Sequence, residues 1–124
     1  MNNLNTLISS AISLGLIKLE PNNDVVTNLN PKFSIRPYQI EAFARFKYYT
    51  EQYPNKNLPV HLLFHMATGS GETLVMAGVI LDLYLKGYRN FIFFVNSTSI
   101  IEKTKDNFLN TSSSKYLFND TISF

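Results

Sequence analysis

The chain has 124 residues, 45% hydrophobic and 16% charged, which supplies one domain with a buried core and excludes a disordered tail. Its net charge of +2 comes from interspersed signs, so composition makes no case for nucleic acid or an anionic membrane. Zero cysteines exclude disulfides and thiolate metal sites and fit a reducing compartment, and two histidines leave little for zinc.

Residues 1–17 carry no side-chain charge, yet they lack a basic leader and are interrupted by Asn2, Asn3, Asn5, Thr6, Ser9, Ser10 and Ser13. They are too polar for a signal peptide and too short to span a bilayer, so no membrane is expected. Leu4, Leu7, Ile8, Ala11 and Ile12 fall at helical spacing and Gly15 stands where a helix stops. The expectation is a short amphipathic helix docked on the rest of a cytoplasmic protein.

Residues 21–31, "PNNDVVTNLNP", are polar and bracketed by prolines, predicting a linker around a short strand at Val25 and Val26. In "SIRPYQIEAFARFKYYTEQY", Ser34 suits a cap and Pro37 a first helical turn, with Ile40, Phe43, Ala44 and Lys47 at helical period. "PNKNLP" at 54–59 ends that helix. "VHLLFHM" at 60–66 is a near-continuous apolar run, the pattern of a strand buried on both faces of a parallel sheet. "TLVMAGVILDLYLKG" reads as a helix that stops at Gly87, "NFIFFV" at 90–95 as a second buried strand, and "SIIEKTKDNFL" as a further helix. Strand, loop, helix, strand, helix implies a right-handed parallel βαβ unit, and the fold class is α/β. His61, His65 and the Phe91, Phe93, Phe94 run are expected in the core.

The segment between the first strand and its helix is "HMATGSGET". Glycines let Ala67, Thr68, Gly69, Ser70 and Gly71 turn several backbone N–H groups toward one point, and the following helix N-terminus adds orphan donors and partial positive charge. That is an anion cradle, with the Thr73 hydroxyl placed for a magnesium ion bridging phosphates.

This stretch resembles motif I (Walker A) of the first RecA-like domain of superfamily 2 helicases and translocases, typically A-T-G-S-G-K-T. "IRPYQ" at 35–39 resembles the family's Q motif, in which Gln39 pairs an adenine edge and Arg36 and Tyr38 frame the pocket. "FFVNSTSIIEKT" resembles motif Ia, with Asn96 in place of the usual proline. There Ser97 and Thr98 are candidates for a nucleic-acid phosphate, against the plainer role of a helix cap. Within the superfamily the motifs look most like the motor subunits of type III or related restriction enzymes.

The resemblance implies a partial RecA-like parallel sheet with flanking helices, preceded by a short N-terminal helix. It divides the chain into an N-terminal helix and linker (1–32), an ATP-binding core (33–109) and a polar tail (110–124). It also implies ATP and Mg2+ as cofactors, with DNA and the remainder of the motor or a modification subunit as partners.

Two departures argue against activity. The residues after the loop contain no Walker B acidic pair; Asp82, Glu102, Asp106 and Asp120 all stand in other contexts. Where the family has lysine, this chain has Glu72. A carboxylate there turns an attraction for phosphate into a repulsion. Two unit charges about 4 Å apart are worth roughly 4 kcal/mol at an effective dielectric near 20. The expectation is therefore an inactivated opening segment of a DNA motor, with nucleotide binding weak or absent. The alternative is a non-enzymatic module that docks a protein partner through its βαβ core.

Overall fold

The structure, a computed structural model, describes residues 3–122 and is mostly helical. Five helices follow one another: α1 (Leu4–Ser13), α2 (Asn23–Asn28), α3 (Pro37–Glu51), α4 (Glu72–Leu85) and α5 (Thr98–Leu109). Among the described residues, no helix is long and apolar enough to cross a membrane.

Each helix has a local cause. Asn3 caps α1 by accepting the Thr6 N–H at 2.8 Å, and Gly15 follows the helix with φ 69°. A short strand is predicted at Val25 and Val26, but that stretch is α2. The Asn22 side chain accepts the Asp24 N–H at 3.0 Å, Asp24 sits favourably in the first turn, and Val25 drops into the core. In α3, Pro37 occupies the first turn as expected, while the cap is Arg36 rather than Ser34. Gln39 reaches back to accept the Arg36 N–H at 2.9 Å, half of a capping box.

α4 lies at the centre, packed by α2 and α3. It contributes Leu74, Val75, Ala77 and Leu81 to the core, beside Val25, Leu29 and Phe43. α3 crosses closely at Gly78, where an added Cβ would lie 2.2 Å from the Phe43 ring. At the far end of this helix pair, Lys86 joins the buried Asp82 to Glu51 and donates to Thr50 Oγ1 at 2.9 Å. That pairing answers the cost of an otherwise isolated buried carboxylate.

The C-terminal segment closes the core. Its triplet Tyr116, Leu117 and Phe118, expected within a polar tail, is buried. Leu29 and Phe118 form an antiparallel bridge, Asn30 N–H donates to Leu117 O at 2.9 Å, and Asn30 Nδ2 donates to Tyr116 O at 2.7 Å. Phe118 packs edge-on against both Phe108 and Tyr116. Burial pushes the Tyr116 phenol above its ordinary pKa.

The parallel sheet is the main correction. Among the described residues there is no strand, and residues 60–66 and 90–95 run without a backbone hydrogen bond to any neighbour. The two helices of the expected βαβ unit are present as α4 and α5, while neither of its strands is formed. Parallel pairing is slightly weaker per residue than antiparallel, and a lone pair of strands is marginal without further strands beside it. The side chains expected in the core are consequently exposed: Leu63 at 91%, Ile92 at 80%, Phe94 at 86%, with His61 and His65 also outside. Burying each such apolar side chain is worth about 1.5–3 kcal/mol, stabilisation this unit does not collect.

Candidate nucleotide-binding loop

Residues 67–70 make a tight turn closed by Ser70 N–H donating to Ala67 O at 3.0 Å, with Gly69 at φ 78°. Gly71 follows at φ 88° and is the residue from which α4 starts, its carbonyl accepting the N–H groups of Leu74 and Val75. Glu72 is the first helical residue and Thr73 the second. The N–H groups of Thr68, Gly69, Gly71, Glu72 and Thr73 donate to no other described residue. They are the orphan donors of a helix start and its approach, which is what an anion requires.

Two side chains of α3 hold this loop from the other direction. Tyr38 donates its hydroxyl to Ser70 O at 2.6 Å and accepts from Arg36 Nη1 at 3.0 Å. Gln39, buried at 3% exposure, donates Nε2 to Ser70 O at 3.2 Å and to Gly71 O at 3.4 Å. The structure thus brings Tyr38 and Gln39 against residues 67–73, with Arg36 behind them on the Tyr38 hydroxyl. It also commits both ends of the Gln39 amide within the chain, Oε1 to Arg36 N–H and Nε2 to the loop carbonyls. The sequence signal for this was the glutamine at the third helical position, which points it back toward the helix start.

Gly71 is demanded twice. Its φ lies in the left-handed region, and a Cβ there would stand 2.4 Å from Gln39 Nε2. Gly71→Ala is expected to lower stability by about 2 kcal/mol, combining the left-handed cost with displacement of Gln39. Urea denaturation checks this, and an unchanged midpoint would contradict the close approach.

Ser97 and Thr98 lie at the start of α5, exposed or half-exposed. Ser97 makes no cap bond; its Oγ pairs with Ser99 Oγ at 2.9 Å.

The family model "Type III restriction enzyme, res subunit" matches residues 32–123. The chain belongs to this family. A protein of Haemophilus influenzae named "Probable type III restriction-modification enzyme HindVIP Res subunit" is 41% identical over 99 residues. The match covers 75% of this chain and 19% of that relative, so the chain spans about a fifth of the relative's length. No solved structure matches the chain.

For a Res-family loop, the backbone and the side chain at position 72 pull in opposite directions. The free N–H groups and the Thr73 hydroxyl fit a phosphate with its magnesium. The Glu72 carboxylate is exposed and makes no ion pair with another described residue, so it places an uncompensated negative charge beside the cradle. The same carboxylate suits the helix it begins, because a negative charge in the first turn complements the α4 dipole by about 0.3–1 kcal/mol. The loop thus presents unpaired N–H groups of the kind an anion takes, beside a carboxylate of its own.

Proposed function

We propose that this chain is part of the first RecA-like domain of an ATP-dependent DNA helicase or translocase from a restriction–modification system, with its nucleotide site disabled at Glu72. The observation that carries the reading is the loop at 67–73: a ring of free amides at a helix start, held by Tyr38 and Gln39, with a carboxylate at the position of the cation. In this reading Ala67 to Thr73 face the phosphates, and the Thr73 hydroxyl reaches magnesium through the nucleotide. Arg36 and Tyr38 lie on the adenine side. Gln39 ties that side to the loop, and pairing with an adenine edge would require it to release Ser70 O and Gly71 O. Ser97 and Thr98 contact a DNA phosphate, and the remaining motor or a modification subunit completes a cytoplasmic assembly.

Turnover needs an acidic group to polarise water, together with a cation for the transferring phosphoryl group. Three of the four acidic side chains after the loop have other partners. Asp82 pairs with Lys86, Glu102 with Lys105, and Asp106 accepts from Asn110 and Ser113. These last two bonds hold the Asp106 carboxyl below its ordinary pKa. The expected result is no ATPase activity in the purified chain, with or without DNA. Phosphate release above background that a Thr73→Ala variant lacks would sink the inactivity.

A further inference from the structure

One peptide unit of the loop has its direction set from outside the loop. Ser70 N–H is tied to Ala67 O at 3.0 Å, and Gly71 O accepts from the N–H groups of Leu74 and Val75 at 3.0 and 3.2 Å. The peptides on either side of the Ser70–Gly71 unit are therefore fixed, one by the turn and one by α4. The unit between them has neither tie. Its carbonyl is held by side chains of α3, and its N–H donates to no described residue.

Of the two holds, Tyr38 is the firmer. Its hydroxyl reaches Ser70 O at 2.6 Å, whereas Gln39 divides Nε2 between Ser70 O at 3.2 Å and Gly71 O at 3.4 Å. A phenol has one hydrogen to give. Arg36 Nη1, which can only donate, meets the same oxygen at 3.0 Å, so that hydrogen goes to Ser70 O. A charged donor on the phenol oxygen also strengthens the bond that the phenol makes in turn.

The Ser70–Gly71 peptide is trans and planar, so its N–H points opposite its C=O. Drawing Ser70 O toward α3 turns Gly71 N–H away from α3. Gly71, at φ 88°, lacks the side chain that would bar the opposite direction, because glycine accepts φ of either sign. The side chains on Ser70 O make the choice.

We propose that Tyr38, oriented by Arg36, is a positioning residue that keeps Gly71 N–H among the amides offered to a phosphate. Without the hydroxyl the peptide samples both directions, and in the flipped one an acceptor, Ser70 O, replaces a donor. This role rests on residues 67–73 being a phosphate cradle, whereas the direction of the peptide does not.

Tyr38→Phe in the full chain tests it, keeping the ring of a residue that is 40% exposed and removing only the hydroxyl. Without ligand, a nuclear Overhauser contact between the Gly71 amide hydrogen and the ring of residue 38 is expected in the variant and not in the parent. Amide shifts in the middle of α3 and α4 should stay as they are. Arg36→Met, which leaves the hydroxyl but removes its donor, is expected to show the same contact more weakly. In a Glu72→Lys background, Tyr38→Phe is expected to weaken pyrophosphate binding by about tenfold, the worth of one hydrogen bond to a charged group. The proposal is overturned if the contact is present in the parent, if it is absent from both variants, or if pyrophosphate binds equally well with and without the hydroxyl. Undetectable pyrophosphate binding by Glu72→Lys alone, with the contact as expected, would instead remove the cradle and the role together while leaving the peptide direction established.

Discussion

Glu72→Lys is expected to create magnesium-dependent binding of a slowly hydrolysed ATP analogue, with affinity higher than the parent's by a few powers of ten. The substitution removes a repulsion and adds an attraction, each up to roughly 4 kcal/mol for charges about 4 Å apart at an effective dielectric near 20. Solvent screening at this exposed position reduces both, and about 1.4 kcal/mol corresponds to a tenfold change. The N–H groups at 68–73 other than that of Ser70 are unpaired, so the substitution changes a single side chain beside donors that are already free. The same change should slightly destabilise the unliganded protein, because a lysine in the first turn of α4 opposes the helix dipole by about 0.3–1 kcal/mol. Calorimetry on both variants measures the binding, and thermal unfolding measures the opposing shift. Equal, undetectable binding by two folded proteins would mean that the amides at 68–73 do not form a cradle.

Phe118→Ala is expected to cost about 3–5 kcal/mol, the range for removing a large aromatic from a packed core. That is a large fraction of the roughly 5–15 kcal/mol that holds a domain together. Phe118 is 2% exposed, packs edge-on against Phe108 and Tyr116, and anchors the bridge to Leu29. Phe94→Ala makes a pointed comparison. The sequence pattern puts Phe94 in a buried strand, whereas the structure leaves it 86% exposed, so its loss should change stability by less than about 0.5 kcal/mol. Urea titrations of the two variants separate the readings. A Phe94 variant as damaged as the Phe118 variant would show that residues 90–95 are packed after all.

The helices were legible because their signals are local. Pro37 at a first turn, Gly71 and Gly87 at the two ends of α4, and the apolar spacing after Leu4 each act within a few residues. The loop was legible for the same reason, as a glycine pattern between an apolar run and a helix. Val25 and Val26 misled because β-branched residues suggest a strand, while the Asn22 cap and the drop of Val25 into the core decide for a helix. Residues 60–66 and 90–95 misled more seriously. Their apolar character reports the environment such segments need, and no local signal says which backbone fills it. Tyr116, Leu117 and Phe118 were missed because three apolar residues in a polar stretch have no period, and their burial depends on Leu29 and Asn30 far away in the chain. The commitment of Gln39 to the loop carbonyls is likewise a tertiary fact, and its return to Arg36 was missed because the cap was placed at Ser34.

The clasp between Asn30 and Tyr116 joins residues 86 positions apart. Closing so long a segment carries an entropic penalty that the local turns of α3 and α4 do not, which makes this joint a late event in folding. On the ribosome, Val25 and Leu29 emerge early but must wait for Phe118 before their apolar faces are covered. At about 5–20 residues per second that wait lasts several seconds, during which the nascent segment is open to aggregation. A late-forming joint also governs how fast the finished unit comes apart, so weakening it should accelerate unfolding far more than it slows refolding. Stopped-flow traces of the Phe118 variant would show this as a shift confined to the unfolding limb.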